Sequence, residues 1–324
     1  MSKRQLTVII IFAVLLVGGF LLSLLLGSVP ISLAEFQNII LSPDGGTKAQ
    51  VFYNIRLPRT IVAALVGINL ALSGAILQAI MKNPLADPHI IGISSGAGLA
   101  GIFVLLLLPE ESYLVTPVAF VGAMLTAAAI YFLAWKNGIR PIRIILAGVA
   151  VSAFLGAGIS ALMIIYSDRV HSALMWMVGG LSARNFHHVT TILPYTVIGS
   201  LAAFFGARQL NILLLGDDIA KGLGLNVERT RIFLTAVAAL LAASAVSVVG
   251  LLGFVGLIVP HATRLLVGSD YRFLLPASAM LGAATVTIAD TFSRLAFAPA
   301  ELPVGIIMAV LGAPFFLFLL RKEL

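Results

Sequence analysis

The chain has 324 residues, 60% of them hydrophobic and 10% charged, with a mean hydropathy of +1.10. A soluble domain carries about 25% charged residues, so this composition excludes a water-surrounded core and requires contact with lipid. The absence of cysteine excludes a disulfide framework and thiolate metal ligation. The formal charge of +7 comes from basic residues lying between apolar runs, where they set topology and anchor to headgroups, not nucleic acid.

Crossing the hydrocarbon layer takes about 20 apolar residues. The first run, 6–26, follows Lys3 and Arg4. It is longer than a signal-peptide core and lacks an A-x-A-like site, so it reads as a retained span. The second, 60–81, carries Ala63, Gly67, Ala71, Ala75 and Ala79 at every fourth position. Runs at 88–108, 112–135 and 144–167 follow; the last holds Gly148, Ser152, Gly156 and Ser160 at the same spacing. Such stripes allow close helix packing, or form a smooth wall along which a bulky solute passes; spacing does not separate the two.

The stretch 170–183 is too short to cross and is expected at the outer interface, with Trp176 at headgroup depth. A sixth span is expected at 185–207. The uncharged run 232–263 has 32 residues and is interrupted by Gly250, Gly253, Gly256 and Pro260, which weaken a helix interior. It is therefore divided into spans at 232–250 and 252–267. Spans at 273–297 and 302–320, the latter with Gly305, Ala309 and Ala313, complete an all-α integral membrane domain of ten transmembrane helices over 1–324.

Charge supports this division. With both termini cytoplasmic, Lys3, Arg4, Lys82, Lys136, Arg140, Arg143, Arg208, Lys221, Arg229, Arg231, Arg264, Arg272, Arg321 and Lys322 lie inside. Only Lys48, Arg56, Arg59, Arg169, Arg184 and Arg294 then lie outside, a ratio of 14 to 6 among the 20 basic residues. A single span over 232–263 would erase that bias.

Little in the chain suggests covalent chemistry. Gly92-Ile93-Ser94-Ser95-Gly96 matches G-x-S-x-G, but it opens a membrane helix and lacks the strand–turn–helix setting of a nucleophile. No P-loop and no H-E-x-x-H occurs, so neither ATP binding by this chain nor a metalloprotease site is expected. The five histidines show no ligand spacing, and His187–His188 reads as an interfacial or capping pair. Asp290 is the one acid placed inside a span, with Arg294 one helical turn on. An i,i+4 pair of that kind is structural, and a single intramembrane acid argues against an ion-coupled secondary transporter.

Two places suggest partners. Arg56 and Arg59 precede the second span on the outer side, and Arg294 approaches the same surface; the three are expected to form a patch for carboxylates, or to anchor on phosphates. Inside, the loop 216–229 reads as a short helix capped by Asp217 or Asp218 and stopped by Gly222 or Gly224. Its apolar residues Ile219, Leu223, Leu225 and Val227 suit a partner's groove better than water.

Taken together, several motifs resemble the FecCD family of ABC-importer permeases for ferric siderophores, haem and vitamin B12. They are Arg56-Leu57-Pro58-Arg59, the stretch 78–88 around Asn83-Pro84-Leu85-Ala86, 92–98, Trp176-Met177-Val178-Gly179-Gly180, 250–264 ending in Val259-Pro260-His261-Ala262-Thr263-Arg264, Glu301-Leu302-Pro303-Val304-Gly305 and Gly312-Ala313-Pro314. The resemblance covers nearly the whole chain. It implies a multi-pass subunit of the bacterial cytoplasmic membrane that pairs with a second permease subunit, identical or paralogous. Two ATPase subunits, which carry the ATP and magnesium, bind below, and a solute-binding protein docks outside. It further implies docking at Arg56, Arg59 and Arg294. Coupling falls on the 216–229 loop, through Gly216, Asp217, Asp218, Ile219, Ala220, Leu223, Gly224 and Val227. A gate is implied at Asn83 and Leu85, and a path along Gly148, Ser152, Gly156 and Ser160. The cargo implied first is an iron-siderophore; no cofactor or metal is expected on this chain.

Overall fold

A computed structural model describes residues 3–27, 29–41, 46–135 and 141–323; the expected inside residues Lys136 and Arg140 lie outside these. Helix α1 (Lys3–Leu25) is followed by the short helices α2 (Leu33–Leu41) and α3 (Gly46–Val51). A π-helical turn, Phe52–Arg56, joins α3 directly to α4 (Leu57–Met81), so that Gly46–Met81 is 36 continuous helical residues. Then come α5 (Pro88–Ile91), α6 (Ile93–Leu107), α7 (Val115–Ala134), α8 (Pro141–Ile165), α9 (Val170–Val178) and α10 (Phe186–Phe205). The chain ends with α11 (Ala207–Leu214), α12 (Asp217–Gly222), α13 (Val227–Val249), α14 (Val255–Val267), α15 (Tyr271–Leu295) and α16 (Val304–Glu323). No β-strand occurs among the described residues.

The ten expected segments map onto apolar helices, but among the described residues seven are long and apolar enough to cross a membrane, while α6, α14 and the apolar part of α16 (Val304–Leu319) are shorter. Helix α4 is the hub: 83% of its apolar stretch is buried, against 11% for α8 at the periphery. Helices α13 and α15 pack on α4 through small residues. A Cβ on Gly67 would overlap the Gly282 carbonyl of α15, and one on Gly74 would overlap Gly256 of α14. With no hydrophobic drive between helices in lipid, such backbone approach supplies the contact. The stripe in the second span therefore serves packing.

The long run 232–263 breaks where its glycines suggest. Gly250 has φ +81 and ends α13; this left-handed region favours a residue without Cβ, and a Cβ there would overlap the Trp176 carbonyl. Helix α14, at 13 residues, rises about 20 Å, short of the ~30 Å hydrocarbon layer. It starts beside Leu70 and Gly74 at the middle of α4 and returns to the end where α13 began. That segment is a half-crossing, in place of the full span expected at 252–267.

Two further expectations are corrected. Trp176 is 7% exposed; its ring fills the slot left by Gly101, so it belongs to a core between α6 and α9, not the headgroup layer. In α8 the stripe divides. Gly148 and Ser152 lie against Gly92, whereas Gly156 has nothing within 4 Å of a Cβ position and Ser160 is exposed. The first pair packs against the start of α6; the second pair has no such contact.

Candidate functional site

Functional groups gather at the two ends of the bundle. At the end where α1 stops and α4 starts, three arginines converge. Arg59 meets Asp290 of α15 through Nε at 3.0 and 3.2 Å and Nη2 at 2.9 Å, and its Nη1 donates to Glu301 at 2.8 Å. Arg294 lies 3.3 Å from the same Asp290 carboxylate. It also donates to the Ser23 carbonyl at 3.1 Å, the Ser23 hydroxyl at 2.9 Å and the Leu26 carbonyl at 3.4 Å. Arg56 donates to the carbonyls of Leu24 and Leu25, both at 3.0 Å, and of Val29.

These contacts complete α1. The last four carbonyls of a helix have no partner within it. Here Leu22 O accepts from Leu26 N, Ser23 O from Arg294, Leu24 O from Arg56, and Leu25 O from Arg56 and Ile31 N. Cations also oppose the negative end of the helix dipole. The sequence expectation of an exposed arginine patch is thus corrected: Arg56, Arg59 and Arg294 are 4%, 5% and 6% exposed. A guanidinium stays buried in a membrane protein only when its donors are satisfied, and neighbouring carbonyls and carboxylates do this.

Glu301 is exposed at this end, while Arg184 is half-buried. Burial raises the Glu301 carboxyl, but the hydrogen bond and charge of Arg59 win and hold it below its ordinary value. Ser182 also donates to it at 3.2 Å. Arg184 is drawn down to about 10 by burial and then by the Arg59 charge. Close by, Asn185 caps α10 in a reciprocal box with His188, which gives the histidine pair the capping role considered for it.

At the opposite end lie the turn after α4 and the 216–229 loop. Lys82 ends α4 in a left-handed conformation, φ +49. Asn83 and Leu85 are half-buried in the following turn, where Asn83 Oδ1 accepts from Leu85 N at 2.9 Å. Gly216 precedes α12 with φ +109, and neither Asp217 nor Asp218 caps it by side chain; both sit in its first turn. Gly222 closes α12, and Gly224 follows with φ +81. Ile219 and Leu223 are exposed. Leu225 packs on the core and Val227 and Ala220 are buried, so Val227 does not belong to the expected partner surface.

Asp217 joins these pieces, accepting from Arg231 at 2.8 and 2.7 Å and from Lys82 at 3.2 Å. Burial opposes its ionisation, but Arg231 and Lys82 prevail and lower it. Sequence reasoning missed this link, and also the Arg59–Asp290 pair. The second had a signal: Arg59 stands four residues before Ala63, on the same buried stripe.

The remaining candidate fails as chemistry. Gly96 packs against Gly122 and Thr126 of α7, and Ser94 is buried in the same helix pair. Among the described residues no group of three metal-ligating side chains occurs.

A model of the FecCD transport family matches residues 14–322. The chain belongs to the FecCD transport family. Over 323 residues it is 41% identical to the Fe(3+)-citrate import system permease protein YfmE of Bacillus subtilis (strain 168), covering 99% of this chain and 97% of that protein. It is 47% identical over 270 residues to the cobalamin import system permease protein BtuC of Halobacterium salinarum, covering 83% and 73%. A solved structure described as an inward-facing metal-chelate type ABC transporter superposes with a TM-score of 0.88 at 30% identity, covering 98% and 99%. Members of this family are transporter permeases, not enzymes. This FecCD chain is accordingly a multi-span membrane subunit of an ABC importer.

Proposed function

We propose that this FecCD permease moves a ferric chelate of the siderophore or citrate type into the cytoplasm. The observation that carries this reading is the end-to-end match, 41% over 99% of the chain, to a ferric-citrate permease. A match of 37% over 99% to the iron(3+)-hydroxamate permease FhuG of Bacillus subtilis (strain 168) supports it. The second reading is cobalamin, favoured by the higher identity, 47%, to the archaeal relative over a shorter stretch.

In this reading ten membrane segments place both termini in the cytoplasm. Two copies of the chain, or the chain and a paralogue, enclose the path, which the open face of α8 around Gly156 and Ser160 helps to line. A solute-binding protein docks on the end organised by Arg56, Arg59 and Arg294, which act from beneath the surface while Glu301 meets the partner. Two ATPase subunits, with ATP and magnesium, engage Ile219 and Leu223. Asn83 and Leu85 gate the cytoplasmic exit. This chain forms no covalent intermediate.

The test is uptake into proteoliposomes holding the permease, its ATPase and its binding protein, with ATP at the ATPase side. ATP-dependent uptake of ferric hydroxamate or ferric citrate, without cobalamin uptake, is expected. Uptake of cobalamin alone would replace the cargo; hydrolysis without uptake of any of the three would overturn the importer reading.

A further inference from the structure

The Asp217–Lys82 contact joins the two parts of the cytoplasmic end that an importer must move together. One part is α12, whose exposed face carries Ile219 at 55% and Leu223 at 60% exposure while Ala220 at 0% faces the bundle. The other is the turn of Asn83 and Leu85. These lie 135 residues apart in sequence and meet at 3.2 Å.

Each side of the contact is conformationally special. Gly216, at φ +109 and ψ 155, occupies backbone space closed to residues with a Cβ, so α12 is hung on a glycine pivot. Lys82 holds a left-handed conformation that a side chain disfavours. Its N–H reaches back to Ala79 O, and Asn83 N to Gln78 O. The turn therefore hangs on the last turn of α4. Gln78 in turn donates to Gly256 O and accepts from Arg264. Further on, Asp87 accepts from His89 N at 2.7 Å and lies against Gly256 of α14. A displacement delivered to Lys82 thus meets the gate turn, α5 and α14 as one hydrogen-bonded piece.

Asp217 is held on its other side by both Nη groups of Arg231, near the start of α13. Its position follows α12 and α13, not a mobile surface rotamer. The lysine side of the pair is half-exposed, so it adds little to stability. Its placement, not its strength, is what matters: among the described salt bridges it is the one between α12 and the gate turn.

We infer that Asp217 and Lys82 are the transmission pair that carries motion of the coupling helix α12 to the gate turn at Asn83 and Leu85. The inference rests on the proposed function, in which an ATPase moves α12. Lys82 is a positioning residue; it touches neither nucleotide nor cargo. Removing its charge should separate ATP hydrolysis from gate movement, and arginine, which also reaches Asp217 as a cation, should restore the connection.

The native chain has no cysteine, so L85C introduces one reporting thiol at the gate. The full importer in proteoliposomes, with parent L85C, is probed with a maleimide with and without ATP, alongside hydrolysis and uptake. In the parent, ATP changes the labelling rate. With K82M added, hydrolysis continues, labelling becomes indifferent to ATP, and uptake per ATP falls about 5-fold or more; K82R recovers both. D217N repeats the K82M phenotype from the other side of the pair. K82M that keeps nucleotide-dependent labelling and full uptake per ATP would overturn the inference, as would K82M that stops hydrolysis, which would place Lys82 in ATPase engagement. A parent whose hydrolysis never alters labelling would instead sink the underlying reading of α12 and the gate.

Discussion

Arg59 and Asp290 form a buried bidentate pair, 231 residues apart, at the end of the interface between α4 and α15. The pair is in register with the helix packing. Gly67 and Gly282 touch backbone to backbone; because the helices are antiparallel, two turns toward the outer end lead to Arg59 on one and Asp290 on the other. Close packing and charge pairing are one feature of the same face.

Breaking that pair leaves Asp290 with Arg294 alone. R59A is expected to destabilise the protein by less than the about 3–5 kcal/mol of a fully uncompensated buried ion. D290N should cost less, since the amide still accepts from Arg59. Thermal unfolding of the detergent-solubilised protein, monitored by loss of monodisperse material, checks the order; equal effects would show that the Asp290 charge, and not the hydrogen bonds an amide keeps, carries the pairing.

Arg56 serves the carbonyls at the end of α1 and forms no salt bridge with a carboxylate among the described residues. R56Q is expected to reduce stability by roughly 1.5–3 kcal/mol, the worth of hydrogen bonds to a charged group. It should also expose the α1 terminus to faster hydrogen exchange. Charge reversal at Arg56 or Arg59 is predicted to lower expression. Unchanged exchange at residues 22–26 in R56Q would contradict the capping role.

The α4–α15 contact leaves no room at its centre. G67V places side-chain atoms inside the Gly282 backbone, and the helices must separate. A loss of several °C in thermal midpoint is expected, beyond the 1–3 kcal/mol typical of overpacking. G18V, with nothing within 4 Å of the Cβ position, should be close to neutral.

Acid should weaken the start of α15. Asp270 accepts from Arg272, whose hydrogen bond is the main cause of a carboxyl held at about 2, and from Asn211. A carboxyl depressed on folding stabilises above its unfolded value of about 4, and that contribution is lost as pH falls towards 2. Asparagine is an equally good N-cap, so D270N should keep α15 intact and flatten the midpoint's fall between pH 4 and 2. A slope identical to the native protein's would rule Asp270 out as its source.

Much of this protein is legible without coordinates because lipid imposes strong rules. Apolar length and glycine breaks locate the apolar helices and separate α13 from α14. The four-residue stripe through Ala63 and Gly67 marks a packing face. The motifs of residues 56–59, 78–88 and 250–264 mark the family.

What only the tertiary structure decided is where each charge goes. Arg56, Arg59 and Arg294 read as surface cations from their position beside a span. In the fold they are enclosed by α1, α15 and the segment before α16, elements that join them from distant parts of the chain. Lys82 and Asp217 likewise carry no local sign of each other. Hydropathy and periodicity act over one helix, so they specify which face is buried. The partner of a buried charge is set by which helix end arrives beside it, and that is a property of the assembled bundle.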